Sequence, residues 1–307
     1  MIGELSALGC AASWAVSTVI IKTQTERLDP VVMNAFRSAV GAVAFLALAA
    51  ATGAFTDLAA GPAATVVKLT IASILSYVIG DSLYYTSLGL IGVSRTLPIS
   101  ASYPALVVVV AALFFGRRVT WNVAVGCVMV ATGVWMVGSR AVVGARPGGR
   151  ELSLGPSVGR AARRKGVLFA LLAACLWSIS VNLVGDVAST VSAVSANTVR
   201  LPVAAVALVA AGIVREGGWS AFRSSLRACG PRRLTLLALS ALIGSVGGSF
   251  LFVVAVKHAG APKAAILNST APLFSLPMAF VVLRESLSVP LIAGVLLSVS
   301  GIVVVML

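Results

Sequence analysis

Long apolar runs separated by short polar connectors make up most of the chain. A helix needs about 20 mainly apolar residues to cross about 30 Å of hydrocarbon. The runs are continuous and rich in Ala, Leu and Gly, whereas the strands of a membrane barrel alternate apolar and polar residues over about ten positions. The pattern therefore predicts an all-α integral membrane protein with ten transmembrane helices, at residues 5–21, 31–51, 66–90, 94–115, 121–137, 166–184, 194–214, 234–257, 262–283 and 289–306.

The composition excludes a soluble fold. Of the 307 residues, 59% are hydrophobic and only 10% are charged, against about 25% charged in an ordinary soluble domain. So few charges could not cover a surface that faces water. The formal net charge is +14, but the basic residues lie in the connectors. This placement favours a lipid bilayer over nucleic acid as their partner.

The basic residues also predict the orientation. Of the 23 Lys and Arg residues, sixteen fall in connectors on one predicted side and five on the other. Because cytoplasmic connectors of membrane proteins carry an excess of Lys and Arg, the first side is predicted to be cytoplasmic. We therefore expect a multi-pass protein of the cell (plasma or inner) membrane with both termini on the extracytoplasmic side.

The second half of the sequence repeats the first. A shift of 163 residues aligns three scarce residue types: Trp14 with Trp177, Asn34 with Asn197, and Arg37 with Arg200. Further along, a shift of 168 aligns Gly80 with Gly248, Gly92 with Gly260, Pro104 with Pro272, Gly126 with Gly294, and Gly133 with Gly301. Each copy holds five spans, an odd number, so the second copy enters the membrane from the opposite face. The sequence predicts two inverted five-helix repeats, at 1–139 and 166–307, joined by a basic cytoplasmic linker at 140–165, an organisation found in secondary transporters.

These repeated residues carry a family resemblance. Trp14 in the first span, Asn34 and Arg37 in the second, and the proline and glycine pairs resemble the EamA-like, ten-helix branch of the drug/metabolite transporter superfamily. The resemblance covers essentially the whole chain. It implies two inverted halves that move small metabolites, often amino acids, outward. The family's Gly-Glu motif is altered in both halves, to Gly116-Arg117 and Arg284-Glu285.

Charged residues inside predicted spans are functional candidates by default. At a rise of 1.5 Å per residue, Arg37 lies about 9 Å and Asp81 about 13 Å from the cytoplasmic end of their spans. These similar depths predict a structural or gating ion pair between them, with a proton-coupling carboxylate or a solvated cavity-wall aspartate as the alternatives for Asp81. Arg200 has no matching acid, because Ser249 takes the place of Asp81 in the second repeat. One interpretation is that Arg200 attracts a substrate carboxylate; the alternatives are a gating or structural role that mirrors Arg37, binding to helix-end carbonyls, and snorkelling outward.

Polar and aromatic side chains well inside the spans are the remaining candidates for substrate contact. Pro104 and Pro272 each remove a backbone donor within a span, a break that is tolerated where it lines a cavity. Trp14 and Trp177 lie about ten residues into their spans, deep enough to wall a central cavity. The alternatives are anchoring at the membrane interface for the two tryptophans, packing for the aromatic stripe that includes Tyr84, and helix-to-helix hydrogen bonding for the polar residues. The predicted substrate-binding residues are Trp14, Ser17, Tyr84, Ser102, Tyr103, Trp177, Asn182, Arg200, Asn268 and Thr270.

The motifs point away from catalysis. The single histidine, His258, stands beside Lys257 at a predicted helix end, and the sequence holds no zinc-protease or nucleotide-binding motif. We expect no enzyme, no cofactor and no metal site. The predicted function is a secondary transporter, working as a monomer, that moves small polar metabolites by alternating access. Amino acids or related zwitterions come first as substrates, by efflux or exchange. The alternatives are an organic-phosphate or nucleotide-sugar exchanger of the same fold, and a membrane protein without transport, such as a scramblase or intramembrane enzyme.

Overall fold

The computed structural model describes residues 1–22, 28–91, 96, 99–100, 102–140, 160–271, 273–274 and 289–307. Within these ranges the chain forms helices and no β-strands. Two segments are π-helical, Ile74–Gly80 and Ala241–Gly248. The α-helices are α1 (Ile2–Lys22), α2 (Pro30–Thr52), α3 (Ala54–Ala60), α4 (Ala63–Ser73), α5 (Asp81–Ile91), α6 (Tyr103–Phe114), α7 (Trp121–Arg140), α8 (Arg160–Val187), α9 (Ala193–Glu216), α10 (Trp219–Ala228), α11 (Pro231–Ser240), α12 (Ser249–Ala259), α13 (Ala261–Asn268) and α14 (Val289–Met306).

The described helices confirm an all-α membrane protein. Five helical segments are long and apolar enough to cross a membrane: Pro30–Thr52, Ala63–Ser87, Arg160–Val187, Ala193–Glu216 and Pro231–Ala259. Shorter apolar helices cover Tyr103–Phe114, Trp121–Gly133 and Leu296–Val305. The total of ten spans and the domain limits stay predictions. Pro272, the Arg284-Glu285 pair and most of the predicted linker lie outside the described residues.

The equivalent helices α2 and α9 begin and end with similar local signals. Asp29 Oδ1 accepts from the backbone N–H two residues on at 2.8 Å, and Ser192 Oγ accepts from the one three residues on at 3.0 Å. Such caps satisfy donors that the first helical turn leaves unpaired. At the other ends Gly53 and Gly217 adopt φ of +73° and +84°, the left-handed conformation that favours glycine. The sequence therefore sets both boundaries of these spans.

A π-helical segment interrupts the third span of each half. In the first, the backbone N–H of Asp81 donates to the carbonyl of Ser76, five residues back, where an α-helix would use the residue four back. Each π segment ends at a glycine, Gly80 or Gly248. Short π segments are frequent at functional sites, and both of these line the site described below.

Helices α7 and α14 pack through their glycines. A Cβ built on Gly126 would lie 2.8 Å from the carbonyl oxygen of Gly301, and one on Gly133 would lie 2.5 Å from that of Gly294. The residue numbers of the contacting positions on α14 fall as those on α7 rise, so the two helices run antiparallel. The contact is reciprocal, since each glycine meets the repeat equivalent of the other. Glycines let membrane helices approach this closely.

Helices α2 and α9 also run antiparallel. Gly41 packs on Leu201, where an added Cβ would lie 3.0 Å from the leucine Cδ1. One turn further along, Thr198 Oγ1 donates to the carbonyl of Phe45 at 3.3 Å. The first span of each half packs on the third span of the other: α1 on the π segment Ala241–Gly248 and α12, and α8 on the π segment Ile74–Gly80 and α5. Residues of both halves therefore meet where these spans cross.

Candidate functional site

Two tryptophans fit against two glycines in matching contacts between the halves. A Cβ on Gly80 would lie 2.8 Å from Trp177 Nε1, and a Cβ on Gly248 would lie 2.6 Å from Trp14 Nε1. The space next to each indole therefore exists only because the residue is glycine. Both tryptophans were predicted as site residues; the glycines were recognised as repeat partners but not as their contacts.

Two serines repeat the same cross-connection. Ser17 Oγ donates to the carbonyl of Ser240 at 2.9 Å, and Ser180 Oγ donates to the carbonyl of Ala72 at 2.7 Å. Ser180 is the repeat equivalent of Ser17, and Ser240 that of Ala72. Ser180 was missed as a candidate, although the 163-residue shift already paired it with Ser17. These bonds join equivalent spans of opposite halves.

The indole N–H groups have different acceptors. Trp177 Nε1 donates to Asp81 Oδ1 at 3.0 Å, whereas Trp14 Nε1 donates to the carbonyl of Gly244 at 3.2 Å. The difference arises because Asp81 follows Gly80 in the first half and Ser249 follows the equivalent glycine in the second. The two matching tryptophan contacts therefore differ in the chemical kind of their acceptor, a carboxyl group in one and a backbone carbonyl in the other.

The direct ion pair predicted between Arg37 and Asp81 is not formed in this structure. The ion pairs of the described residues include neither residue. Asp81 accepts from Trp177, and Arg37, only 9% exposed, donates through Nη2 to Ser17 Oγ at 3.1 Å. The Nε of Arg37 is buried without a hydrogen-bond partner. A gating role for Arg37 and Asp81 stays a prediction.

Arg200 is buried between aromatic rings. It is 3% exposed, and its guanidinium carbon lies 5.1 Å from the centre of the Tyr77 ring and 5.3 Å from that of Phe252. Nη1 donates to Asn197 Oδ1 at 3.1 Å, while Nε is buried without a partner. No ion pair of the described residues includes Arg200. This burial argues against snorkelling, whereas binding of a substrate carboxylate by Arg200 stays a prediction.

Aromatic side chains surround Trp177. Its ring centre lies 5.2 Å from that of Tyr84 and 6.3 Å from that of Tyr103. The Tyr103 hydroxyl donates to the carbonyl of Ala265 at 3.3 Å, which joins α6 to α13. The structure thus brings three predicted site residues together with Asp81.

Other predicted site residues make local hydrogen bonds. Ser102 Oγ and Thr270 Oγ1 each donate to the carbonyl three residues back, at 2.7 Å and 2.6 Å. Asn182 Nδ2 donates to two carbonyls, on α6 and on its own helix, at 3.1 Å and 2.9 Å. Pro104 stands in the first turn of α6, where proline fits without breaking a helix, so the expected mid-span break is not at this residue. These contacts favour the structural alternative for Ser102, Thr270 and Asn182.

Asn268 differs from these three. It is 2% exposed at the end of α13, and both polar atoms of its amide are buried without a hydrogen-bond partner. A buried amide without a partner costs about 1–3 kcal/mol. Asn268 is therefore the predicted polar residue with the most unused hydrogen-bonding capacity.

Comparison with known proteins agrees with this architecture. The sequence model of the EamA-like transporter family matches residues 1–139 and 164–307. An Archaeoglobus fulgidus protein named "Uncharacterized transporter" is 26% identical over the whole of this chain and 99% of its own. "Uncharacterized transporter YvbV" of Bacillus subtilis is 26% identical over 46% of each chain. A solved crystal structure shares the fold, with a TM-score of 0.74 at 20% identity over 98% of this chain and 95% of the other. The chain belongs to the EamA-like transporter family.

Proposed function

We propose that this membrane transporter moves small metabolites that carry a carboxylate, amino acids and related zwitterions first, by efflux or exchange. The observation that carries the proposal is Arg200, a buried arginine with an unsatisfied Nε and no ion pair to any described carboxylate.

An unpaired buried charge is expensive, so Arg200 needs compensation. Two aromatic faces supply part of it, since a desolvated cation over a ring gains about 2 kcal/mol. Asn197 supplies one neutral acceptor at 3.1 Å. A substrate carboxylate would add a negative charge and two oxygens that match the guanidinium fork. Arg200 by itself balances one negative charge, which favours a monocarboxylate over a phosphate dianion; Arg37, the other buried arginine among the described residues, lies in the half that also contains Asp81.

The reciprocal contacts support alternating access between two inverted halves. Trp14 meets Gly248 as Trp177 meets Gly80, and α7 runs antiparallel to its equivalent α14. Contacts in which each residue meets the equivalent of its partner are the signature of a two-fold relation. Two such halves can exchange conformations, which opens a shared site first to one side of the membrane and then to the other.

Counterflow with the purified protein in liposomes tests the proposal. Vesicles loaded with one unlabelled compound are assayed for uptake of the labelled compound, over a panel of amino acids, their amides and organic phosphates, with and without a pH gradient. We expect counterflow of at least one carboxylate compound and much less of its amide.

The variant Arg200→Gln separates recognition from other defects, and Arg118→Gln, an exposed arginine, is the matched control. Arg200→Gln should lower the flux of the carboxylate compound at least tenfold and reduce its advantage over the amide. Counterflow of organic phosphates alone, or an equal loss of acid and amide flux in Arg200→Gln, would contradict the proposal.

A further inference from the structure

A groove of about 430 Å³ lies at the beginning of α8, apart from the tryptophan and arginine site. Among the described residues, its lining comprises basic residues followed by apolar ones on one helix: Arg160, Arg163, Arg164, Val167, Leu168 and Leu171. The spacing of three and four residues places all six on one helical face. The basic part occupies the first turns and the apolar part the next two.

This face of α8 points away from the packed interior. Gly166 and Ala170 lie on the adjoining side of the helix and are buried; a Cβ on Gly166 would lie 2.5 Å from Ile91 Cγ2 of α5. In contrast, Leu168 is 52% and Leu171 43% exposed. The three arginines are also exposed and take no part in the ion pairs of the described residues. The groove therefore has no partner within the described part of the chain.

Along the groove, positively charged side chains come first and apolar side chains follow, and this order matches one kind of ligand. From Arg160 to Leu171 the helix rises about 16 Å, and over that length the lining changes once, from cationic to apolar. A free phosphate ion would use only the arginines. A phospholipid presents a phosphate and then an acyl chain in the same order and direction.

The same end of the bundle is basic elsewhere. Residues 188–192 join α8 to α9 in a short turn, so the beginning of α8 and the end of α9 lie at one end of the bundle. After α9 come four further arginines at this end: Arg223, Arg227, Arg232 and Arg233. Such clusters face the anionic lipid of the cytoplasmic leaflet.

We propose that the groove binds one anionic diacyl phospholipid, with the phosphate held by Arg160, Arg163 and Arg164 and an acyl chain lying along Val167, Leu168 and Leu171. The arginines are the specific part of this site. Any lipid tail can cover exposed leucines in a bilayer, but three guanidiniums on one face distinguish an anionic headgroup from a zwitterionic one.

Native mass spectrometry of the purified full-length protein in detergent tests the site. Dioleoylphosphatidylglycerol and dioleoylphosphatidylcholine are titrated separately, and the first bound lipid is counted. We expect phosphatidylglycerol to bind about 100-fold more tightly, because each basic side chain near an anionic surface contributes about a factor of five. Equal affinity for the two lipids would overturn the proposal.

The variant R160Q/R163Q/R164Q should lose this preference. The control R223Q/R227Q/R232Q removes three exposed arginines from the same end of the bundle and should keep it. An equal loss in both variants would show that surface potential alone attracts the lipid and would overturn the site. The single variants R163Q and R164Q, each with about a fivefold loss, carry the same test should the triple variant fail to fold.

Inorganic phosphate separates the lipid from a simple anion. We expect millimolar phosphate not to displace the bound phosphatidylglycerol, because it cannot use the apolar half of the groove. Complete displacement by phosphate at the concentration at which it binds alone would overturn the lipid assignment. In Leu168→Ser, phosphatidylglycerol affinity should fall severalfold; unchanged affinity would likewise contradict an acyl chain along the helix.

Discussion

The contact between Trp14 and Gly248 predicts that the substitution Gly248→Ala lowers the stability of the protein. The added Cβ would lie 2.6 Å from Trp14 Nε1 and 2.7 Å from its Cδ1, whereas carbon atoms in favourable contact stay about 3.5–4.0 Å apart. The indole must therefore move by about 1 Å. The hydrogen bond from Nε1 to Gly244, already 3.2 Å long, would then be lost.

The expected destabilisation follows from three effects. Overpacking costs about 1–3 kcal/mol, and losing a neutral hydrogen bond costs about 0.5–1.5 kcal/mol. Alanine in place of a helical glycine recovers about 1 kcal/mol. The net loss is about 0.5–3.5 kcal/mol, and we expect a lower melting temperature in detergent, measured by thermal unfolding.

The neighbouring glycine provides the control. A Cβ on Gly247 would meet nothing nearer than the carbonyl oxygen of Leu242 at 3.6 Å, so Gly247→Ala should be neutral or slightly stabilising. In a Trp14→Phe background, which has a smaller ring and no N–H, the penalty of Gly248→Ala should shrink. Equal melting temperatures for the two alanine variants, or no relief by Trp14→Phe, would refute the indole-on-glycine explanation.

Three further predictions test other contacts described above. Trp177→Phe should destabilise more than Trp14→Phe in thermal unfolding, because a hydrogen bond to a charged group contributes about 1.5–3 kcal/mol and a neutral one about 0.5–1.5 kcal/mol; the reverse order would argue against the Asp81 contact. Arg37→Gln and Asp81→Asn should give additive losses of stability, since each has its own partner; mutual rescue would show that the two pair directly in another conformation. Gly133→Ala should separate α7 from α14 and expose them to limited proteolysis, because its Cβ would lie 2.5 Å from an α14 carbonyl; unchanged cleavage would contradict the close packing.

Much of the framework could be predicted from the sequence. Scarce residues at a constant shift identified Trp14 with Trp177 and Gly80 with Gly248. The shift states only that two positions are equivalent, however. It does not state that each tryptophan lies on the glycine of the opposite half, since that depends on how the spans cross.

Other features lay beyond the sequence for physical reasons. Depth along a helix placed Arg37 and Asp81 at similar heights but did not fix the direction in which either side chain points. Trp177 comes from a third helix and takes the carboxylate instead. Likewise, Tyr77 and Phe252 enclose Arg200 from two different helices, and periodicity within one helix cannot place residues of another.

The two halves differ in the acceptor of the tryptophan N–H. Both provide a tryptophan on a glycine, a serine bound to a carbonyl and a buried arginine. Only the first half places an aspartate after its glycine, so one indole binds a carboxylate and the other a backbone carbonyl. In the proposed alternating-access cycle, identical halves would give inward-open and outward-open states of equal free energy. A charged hydrogen bond exceeds a neutral one by about 1 kcal/mol, enough to favour one state about fivefold if the bond is kept in that state alone. Within the proposed cycle, we therefore expect Asp81 to bias which of the two states is preferred.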